Sequence, residues 1–395
     1  MRTEGDFIKI TEWLLPLSWL YGIGVRFRNW MFDIGLLKSQ SYNTPVISVG
    51  NITVGGSGKT PHVEYLVNLL HNTVKVAVLS RGYRRKTKGY LLADESTTMP
   101  EIGDEPFQIH RKYEDIYVAV DKNRRRGIDR LKHDDATNDV EVILLDDAFQ
   151  HRYVKPGVNI LLVDYHRLII YDRLLPAGRL REPKEGTVRA DIVIITKCPT
   201  DLKPMEFRVL KRAMSLFPFQ ELFFTTIKYN DLTAVFGNDK RPVSSITPDT
   251  HILLLTGIAS PQQMIVDLQT TSKHITPLTF GDHHQFTPAD EERINSEFEA
   301  LPSPKIIITT EKDSTRLLHT EALSDNVKQS TYALPMEIKF LLGGEKEFNK
   351  KIISYVRKNS RNSILAKRKN DNKSLNSNHS RYRFRTVGNG NHRQL

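Results

Sequence analysis

Cysteine is nearly absent from this chain. Its single residue, Cys198, excludes an intrachain disulfide and any cysteine-rich metal site, and it permits a reducing compartment. Also missing is an uninterrupted apolar run of membrane-spanning length. Phe7 to Val25 holds Ile8, Ile10, Trp13, Leu14, Leu15, Leu17, Trp19, Leu20, Tyr21 and Ile23, but Lys9, Glu12 and Pro16 interrupt it. It falls short of the roughly 18 to 20 clean apolar residues of a spanning helix. No small-residue cleavage site follows, which argues against a signal peptide. Arg26, Phe27, Arg28 and Trp30 come next instead. Aromatics and arginines beside an apolar run are the pattern of a helix lying in a membrane interface. A helix packed on the protein's own core is the plainer alternative.

Positive charge is scarce where a nucleic-acid-binding body would need it. The formal net charge is +11, yet from Arg357 onward eleven Lys or Arg stand against one acid, Asp371, so the residues before them carry a net charge of only +1. The body is nearly neutral, and no nucleic acid is expected as its partner. The tail, residues 359–395, has few apolar residues to bury and is expected to be disordered. Anionic headgroups, RNA or no partner at all remain open for it.

Against these absences stands Gly50-Asn51-Ile52-Thr53-Val54-Gly55-Gly56-Ser57-Gly58-Lys59-Thr60. Pro45 to Val49 reads as a buried strand before it, and Val63, Leu66 and Leu70 recur at helical spacing after it. Strand, glycine-rich loop and helix in this order form a phosphate cradle. Backbone N–H groups of Thr53 to Gly58 can turn toward an anion, Lys59 can reach the outer phosphates, and the Thr60 hydroxyl can ligate magnesium. Thr53 stands where the pattern G-x-x-x-x-G-K-[ST] has its first glycine. A turn that merely joins strand to helix is the alternative. The cradle implies a nucleoside triphosphate bound with Mg²⁺.

Further strand-like runs lie at 74–79, 116–120, 142–145, 158–163 and 192–195, with helix-forming stretches between several of them. This alternation predicts an α/β fold, a mostly parallel sheet with helices on both faces. The runs end in polar clusters that should converge beyond the carboxyl ends of the strands. After an extended segment near 223–229, a second series at 252–255, 275–280 and 306–308 predicts a smaller Rossmann-like unit without a phosphate loop of its own. The predicted organisation is a membrane-associated N-terminal segment (1–32), a phosphate-loop core (33–228), the smaller unit (229–340), a C-terminal helix (341–358) and the basic tail. Residues 337–340 are a candidate returning strand.

Three clusters can carry chemistry. Asp146-Asp147 follows four apolar strand residues, as a carboxylate pair that holds magnesium does. Gly103-Asp104-Glu105-Pro106 offers a carboxylate to orient an alcohol and take its proton. Asp282-His283-His284 offers a histidine to tune such a carboxylate. Arg81, Arg124, Arg125, Arg126, Arg179 and Arg181 lie near predicted strand ends, and two or three of them should meet phosphate oxygens or an anionic substrate. Capping turns and solvated arginines are the ordinary alternatives.

These motifs occur in a recognisable order. The stretches at 50–61, 80–83 (Ser-Arg-Gly-Tyr), 103–106, 146–152 (Asp-Asp-Ala-Phe-Gln-His-Arg), 174–183 (Leu-Leu-Pro-Ala-Gly-Arg-Leu-Arg-Glu-Pro), 256–259 (Thr-Gly-Ile-Ala), 282–284 and 310–313 (Thr-Glu-Lys-Asp) resemble tetraacyldisaccharide 4'-kinase, the lipid A 4'-kinase of Gram-negative bacteria. The resemblance spans roughly residues 5 to 355. It implies transfer of the ATP γ-phosphate to the 4'-hydroxyl of a tetraacylated glucosamine disaccharide 1-phosphate, at the cytoplasmic face of the inner membrane. It also implies roles by position. Lys59 and Thr60 serve the nucleotide with Arg81, and Asp146 and Asp147 hold magnesium with Thr60. Asp104 is the base, coupled to His283, while Glu105, Arg124, Gln150, His151 and Arg179 bind substrate. Ala148 departs from the glycine of the family pattern. A regulatory NTPase without a phosphorylated acceptor is the alternative function.

Overall fold

Apolar runs in the first half of the chain become strands buried on both faces, as parallel strands between helix layers must be. The computed structural model describes residues 10–258, 261–281, 284–318 and 320–360. Helix α1 (Leu15–Asp33) precedes β1 (Val46–Gly50), α2 (Lys59–Leu70), β2 (Val76–Ser80), the two-residue β3 (Leu91–Leu92) and α3 (Met99–Ile102). Next come α4 (Asp104–Lys112), β4 (Tyr117–Val120), α5 (Arg124–His133), β5 (Val142–Asp146), β6 (Val158–Asp164), β7 (Ile192–Thr196), α6 (Pro204–Met214) and β8 (Glu221–Tyr229). A smaller unit follows, with β9 (Leu232–Ala234), β10 (Lys240–Arg241), β11 (His251–Thr256), α7 (Gln262–Leu268), β12 (His274–Thr279) and α8 (Pro288–Glu299). It is completed by β13 (Lys305–Thr310), α9 (Glu311–Leu317), α10 (Asp325–Gln329) and β14 (Thr331–Leu334). Strand β15 (Met336–Phe340) and helix α11 (345–360) end the described chain.

The large sheet has nine strands in the order β15-β8-β7-β6-β1-β5-β2-β4-β3. β1 pairs in parallel with β5 on one side and β6 on the other. Strand order therefore reverses at β1, which opens a crevice beyond its carboxyl end. On one face Ile47, Val49, Leu144 and Ile160 pack with Val63, Leu66 and Val67 of α2 and with Phe348, Ile352 and Val356 of α11. On the other face Leu161, Val163, Val193 and Ile195 pack with Phe207, Leu210 and Met214 of α6 and with the crossover between β6 and β7.

The smaller sheet runs β10-β9-β14-β13-β11-β12, with β11, β12, β13 and β14 parallel. One boundary differs from the sequence expectation. β15, assigned above to the smaller unit, lies on the large sheet, antiparallel to β8 with Met336 opposite Tyr229. The smaller unit is an insertion between β8 and β15. A short strand with alternating burial fits the edge of either sheet, so its pattern does not choose one.

Helix α1 buries only Ser18, Gly22 and Phe32. It rests on the 174–181 segment, where Ser18 Oγ donates to the Leu174 carbonyl (3.0 Å) and Tyr21 Oη donates to the Arg181 carbonyl (2.8 Å). Its other side stays open, with Trp19 70%, Leu20 66% and Ile23 63% exposed. Among the described residues, no helix is long and apolar enough to cross a membrane.

Candidate active site

Parallel register brings the chemistry to one edge. Val49 of β1 lies beside Asp146 of β5, and Ser80 of β2 lies beside Val120 of β4. The loops that leave these strands are the ones that carry the motifs. Gly50 permits a close crossing, since a Cβ there would lie 2.8 Å from the backbone nitrogen and Cβ of Phe149. Gly58 caps α2 at φ +80°, a conformation that favours glycine, and so turns Lys59 and Thr60 onto the first turn of the helix.

Thr53 needs no glycine. It forms an antiparallel bridge with Leu180, extended backbone that any residue adopts. The 174–183 motif thereby splints the phosphate loop. Val54 N–H donates to the Arg179 carbonyl (2.8 Å) and Arg181 N–H donates to the Ile52 carbonyl (2.7 Å). The Arg181 guanidinium also donates to Asn51 Oδ1 (2.7 Å) and the Thr53 carbonyl (3.0 Å). Asn51 Nδ2 in turn donates to Ser57 Oγ (2.7 Å). Below the loop, His62 bridges the Gly58 carbonyl (2.7 Å) and Thr225 Oγ1 (3.1 Å), and burial pulls its pKa down to about 4.

The carboxylate pair sits in two environments. Asp147 has φ +45°, a left-handed conformation that costs a non-glycine residue on the order of 1 kcal/mol. In that turn its Oδ1 lies 3.8 Å from Lys59 Nζ and 3.6 Å from Arg181 Nη2. Burial opposes its charge, but Lys59, Arg181 and Arg124 more than offset this and hold its pKa below the usual carboxylate range. Asp146 is fully buried. Burial, then the charges of Glu105 and Asp147, push its pKa up to about 7 against the opposing effects of Lys59 and the Ser80 hydrogen bond. Ser80 Oγ donates to its Oδ2 (3.0 Å), while its Oδ1 is buried without a hydrogen-bond partner. A buried acceptor left over beside a second carboxylate suits a hard cation such as magnesium.

Arg124, the first residue of α5, is buried and donates to the carbonyls of Asp121 (2.7 Å) and Asp146 (2.9 Å). Burial lowers its pKa to about 10, against the opposing pull of Asp146 and Asp147. His151 follows the same β5 turn, with its Nε2 and the neighbouring Gln150 Nε2 buried and unpartnered. Burial, reinforced by Arg124, Arg28, Arg125 and Arg81, lowers the His151 pKa to about 4. Arg81 and Arg179 are exposed at the rim of this region, and the Arg179 carbonyl holds the loop. Arg125 and Arg126 are used structurally. Arg126 binds Asp121 bidentately (2.7 and 2.8 Å), and Arg125 lies over the Tyr153 ring.

Asp104 and Glu105 start α4, where the helix N-terminus favours negative charge. Both meet α9 of the smaller unit. Asp104 Oδ2 is paired with Arg316 Nη2, and Arg316 Nη1 donates to Asp313 Oδ1 (2.8 Å). Asp313 Oδ2 accepts from Gly257 N–H (2.9 Å) and Thr310 Oγ1 (2.7 Å). Glu105 lies 3.9 Å from Lys312 Nζ. Lys112, at the far end of α4, joins Glu64 of α2 (2.7 Å) to Glu311 (2.9 Å). Each residue of Thr310-Glu311-Lys312-Asp313 is thus either a cap or part of a clasp between the two units.

Arg316 and Lys112 were not singled out from the sequence. Arg316 stands one helical turn after Asp313, a local signal, but its link to Asp104 crosses 212 positions and is invisible in the chain. His283 lies outside the described residues. His284 is described, 2.9 Å from Asp290 Oδ2 and stacked on Phe280 with centroids 4.9 Å apart.

A family model described as Tetraacyldisaccharide-1-P 4'-kinase matches residues 10–357. The chain belongs to this family. It is 55% identical over 362 residues to the tetraacyldisaccharide 4'-kinase of Phocaeicola vulgatus, covering 91% of this chain and 99% of that one. It is 51% identical over 376 residues to the enzyme of that name from Bacteroides fragilis, covering 94% and 100%. Among solved structures, the crystal structure of an "apo" form of LpxK from Aquifex aeolicus in complex with ATP aligns with a TM-score of 0.65. That alignment has 30% identity and covers 87% of this chain and 98% of that one. The match to the tetraacyldisaccharide 4'-kinase family thus spans both units of the fold.

Proposed function

We propose that this chain transfers the γ-phosphate of ATP to the 4'-hydroxyl of a tetraacylated glucosamine disaccharide 1-phosphate, a lipid A precursor. The observation that carries this reading is the meeting, at one edge of the large sheet, of Lys59 and Thr60, the Asp146-Asp147 pair, and the Asp104-Glu105 start of α4. The family assignment and the ATP complex of the Aquifex aeolicus LpxK support it. Phosphoryl transfer is catalysed mainly by positioning and charge stabilisation. Lys59 stabilises charge on the transferred group, and the splint from Arg179 to Arg181 keeps the loop in place. Asp104 accepts the hydroxyl proton as the new bond to phosphorus forms. Arg124, Gln150, His151, Glu105 and Arg179 orient the acceptor, and Arg81 serves the nucleotide. Thr60, Asp146 and Asp147 would hold magnesium, which supplies charge neutralisation to the phosphates. His283 is assigned to support Asp104.

An acceptor with several acyl chains stays in the bilayer, since each buried methylene is worth about 0.8 kcal/mol. The exposed aromatics of α1 support a peripheral position on a membrane, and the family resemblance implies the cytoplasmic face of the inner membrane. Tyr21 of α1 touches the Arg181 carbonyl, so this surface adjoins the segment that splints the phosphate loop. ATP turnover measured with and without the lipid disaccharide tests the reading. A kinase consumes ATP in step with acceptor, whereas a regulatory switch hydrolyses ATP without it and leaves the lipid unchanged. Deleting α1 should weaken vesicle binding more than ATP binding.

A further inference from the structure

We propose that α6 and the Phe217-Pro218-Phe219 turn form a second contact with an anionic bilayer surface, on the same side of the molecule as α1. This rests on the membrane reading above. Helix α6 buries Phe207, Leu210 and Met214 in the apolar cluster that also contains Leu168, Ile169 and Leu180. Leu174 packs on that cluster and lies directly under Gly22 of α1. Both helices therefore border the crossover between β6 and β7.

The outward stripe of α6 is composed unlike an ordinary solvated face. Met205, Arg208, Val209 and Arg212 follow one another at helical spacing, and all are exposed. Met205 is 63% and Val209 58% exposed. Phe217 and Phe219 stack on each other with centroids 5.8 Å apart and are also more than half exposed. Four large apolar side chains open to solvent within fifteen residues make a patch that calls for a partner. Lys203, Arg208, Lys211 and Arg212 are exposed around it, and Asp201 is the exposed acid of the segment. Glu206 is tied to the backbone N–H of Lys203 (2.8 Å). Apolar side chains rimmed by cations fit acyl chains beneath anionic headgroups. The shared crossover with α1 favours lipid over a protein partner, because α1 presents the same mixture of apolar and basic side chains from that support.

The test uses the full chain and vesicles of phosphatidylcholine with or without phosphatidylglycerol. Replacing the patch in one variant, Met205→Ser with Val209→Ser, Phe217→Ser and Phe219→Ser, should lower partitioning onto anionic vesicles about tenfold or more. Activity on detergent-dispersed acceptor should stay unchanged. Arg208→Glu with Lys211→Glu and Arg212→Glu should erase the preference for anionic over neutral vesicles. A polarity-sensitive dye on Phe219→Cys should shift to the blue when anionic vesicles are added. Cys198 will not compete for the label, being buried with its thiol pushed up to about 12. Trp19→Ser with Leu20→Ser in α1 is the reference. If that α1 variant detaches while the α6 variants partition like the unaltered chain, the second contact is refuted and the membrane reading stands. If the α6 variants change the oligomeric state but not partitioning, the patch is a protein surface and the proposal fails. If the unaltered chain ignores vesicles of either composition, the membrane reading itself fails.

Discussion

The two sheets of this molecule are built alike and used differently. Both are largely parallel, and both end their strands in polar loops. The large sheet places a phosphate loop, a carboxylate pair and a buried arginine at its carboxyl edge. The smaller sheet has no phosphate loop among the described residues. It presents Arg316, Lys312 and Glu311 to α4, braced by Thr310 and Asp313. Fold alone would not separate these roles; the side chains at the loop ends do. On the proposed reading one unit holds the nucleotide, and the other is clasped to the start of α4 by Arg316 and Lys312.

Breaking the large-sheet side should have the largest effect. Lys59→Ala is expected to lower kcat by about a thousandfold or more, read from steady-state transfer, with circular dichroism unchanged. Asp104→Asn follows, with a loss of roughly a hundredfold to a thousandfold and little change in ATP affinity. Near-full turnover in that variant would remove the base assignment and leave Glu105 as the remaining carboxylate of the pair.

The clasp supplies the next test. Arg316→Met leaves Asp104 and Asp313 without their shared cation in a buried setting, which should cost about 3 kcal/mol in urea unfolding. Arg316→Lys keeps the charge but loses the fork and should lie between the two. Unchanged stability and kcat in Arg316→Met would mean the units do not depend on this contact.

The smallest expected effect concerns acid stability. The folded pKa of His151 is depressed to about 4 from 6.5. As pH falls from about 6.5 to 4, the unfolded chain takes up a proton that the folded protein refuses, so stability is lost over that window and is fully present above it. His151→Gln should reduce this loss by about 1 kcal/mol between pH 7.5 and pH 4.5, after allowing for partial exposure. Parallel pH profiles for variant and parent would contradict the environment described for His151.

Much of this division was legible in the chain because its signals are local. The strand before Gly50, the loop to Thr60 and the carboxylates after Leu145 each declare themselves within a dozen residues. Thr53 looked like a defect in the motif until its bridge to Leu180 was seen. Contacts across hundreds of positions left no local trace, which is why Arg316 and Lys112 emerged only with the fold. β15 was anticipated as a returning strand but not its sheet, because the choice is made by pairing with β8.

The central claim is that nucleotide bound at Lys59 and Thr60 phosphorylates a sugar alcohol on a membrane glycolipid. The most direct measurement is mass analysis of the disaccharide 1-phosphate after incubation with the purified chain, ATP and magnesium, beside a Lys59→Ala control. The account predicts one added phosphate on the distal 4'-position with the parent chain and none with the control. A glycolipid left unmodified at saturating nucleotide and metal would contradict it.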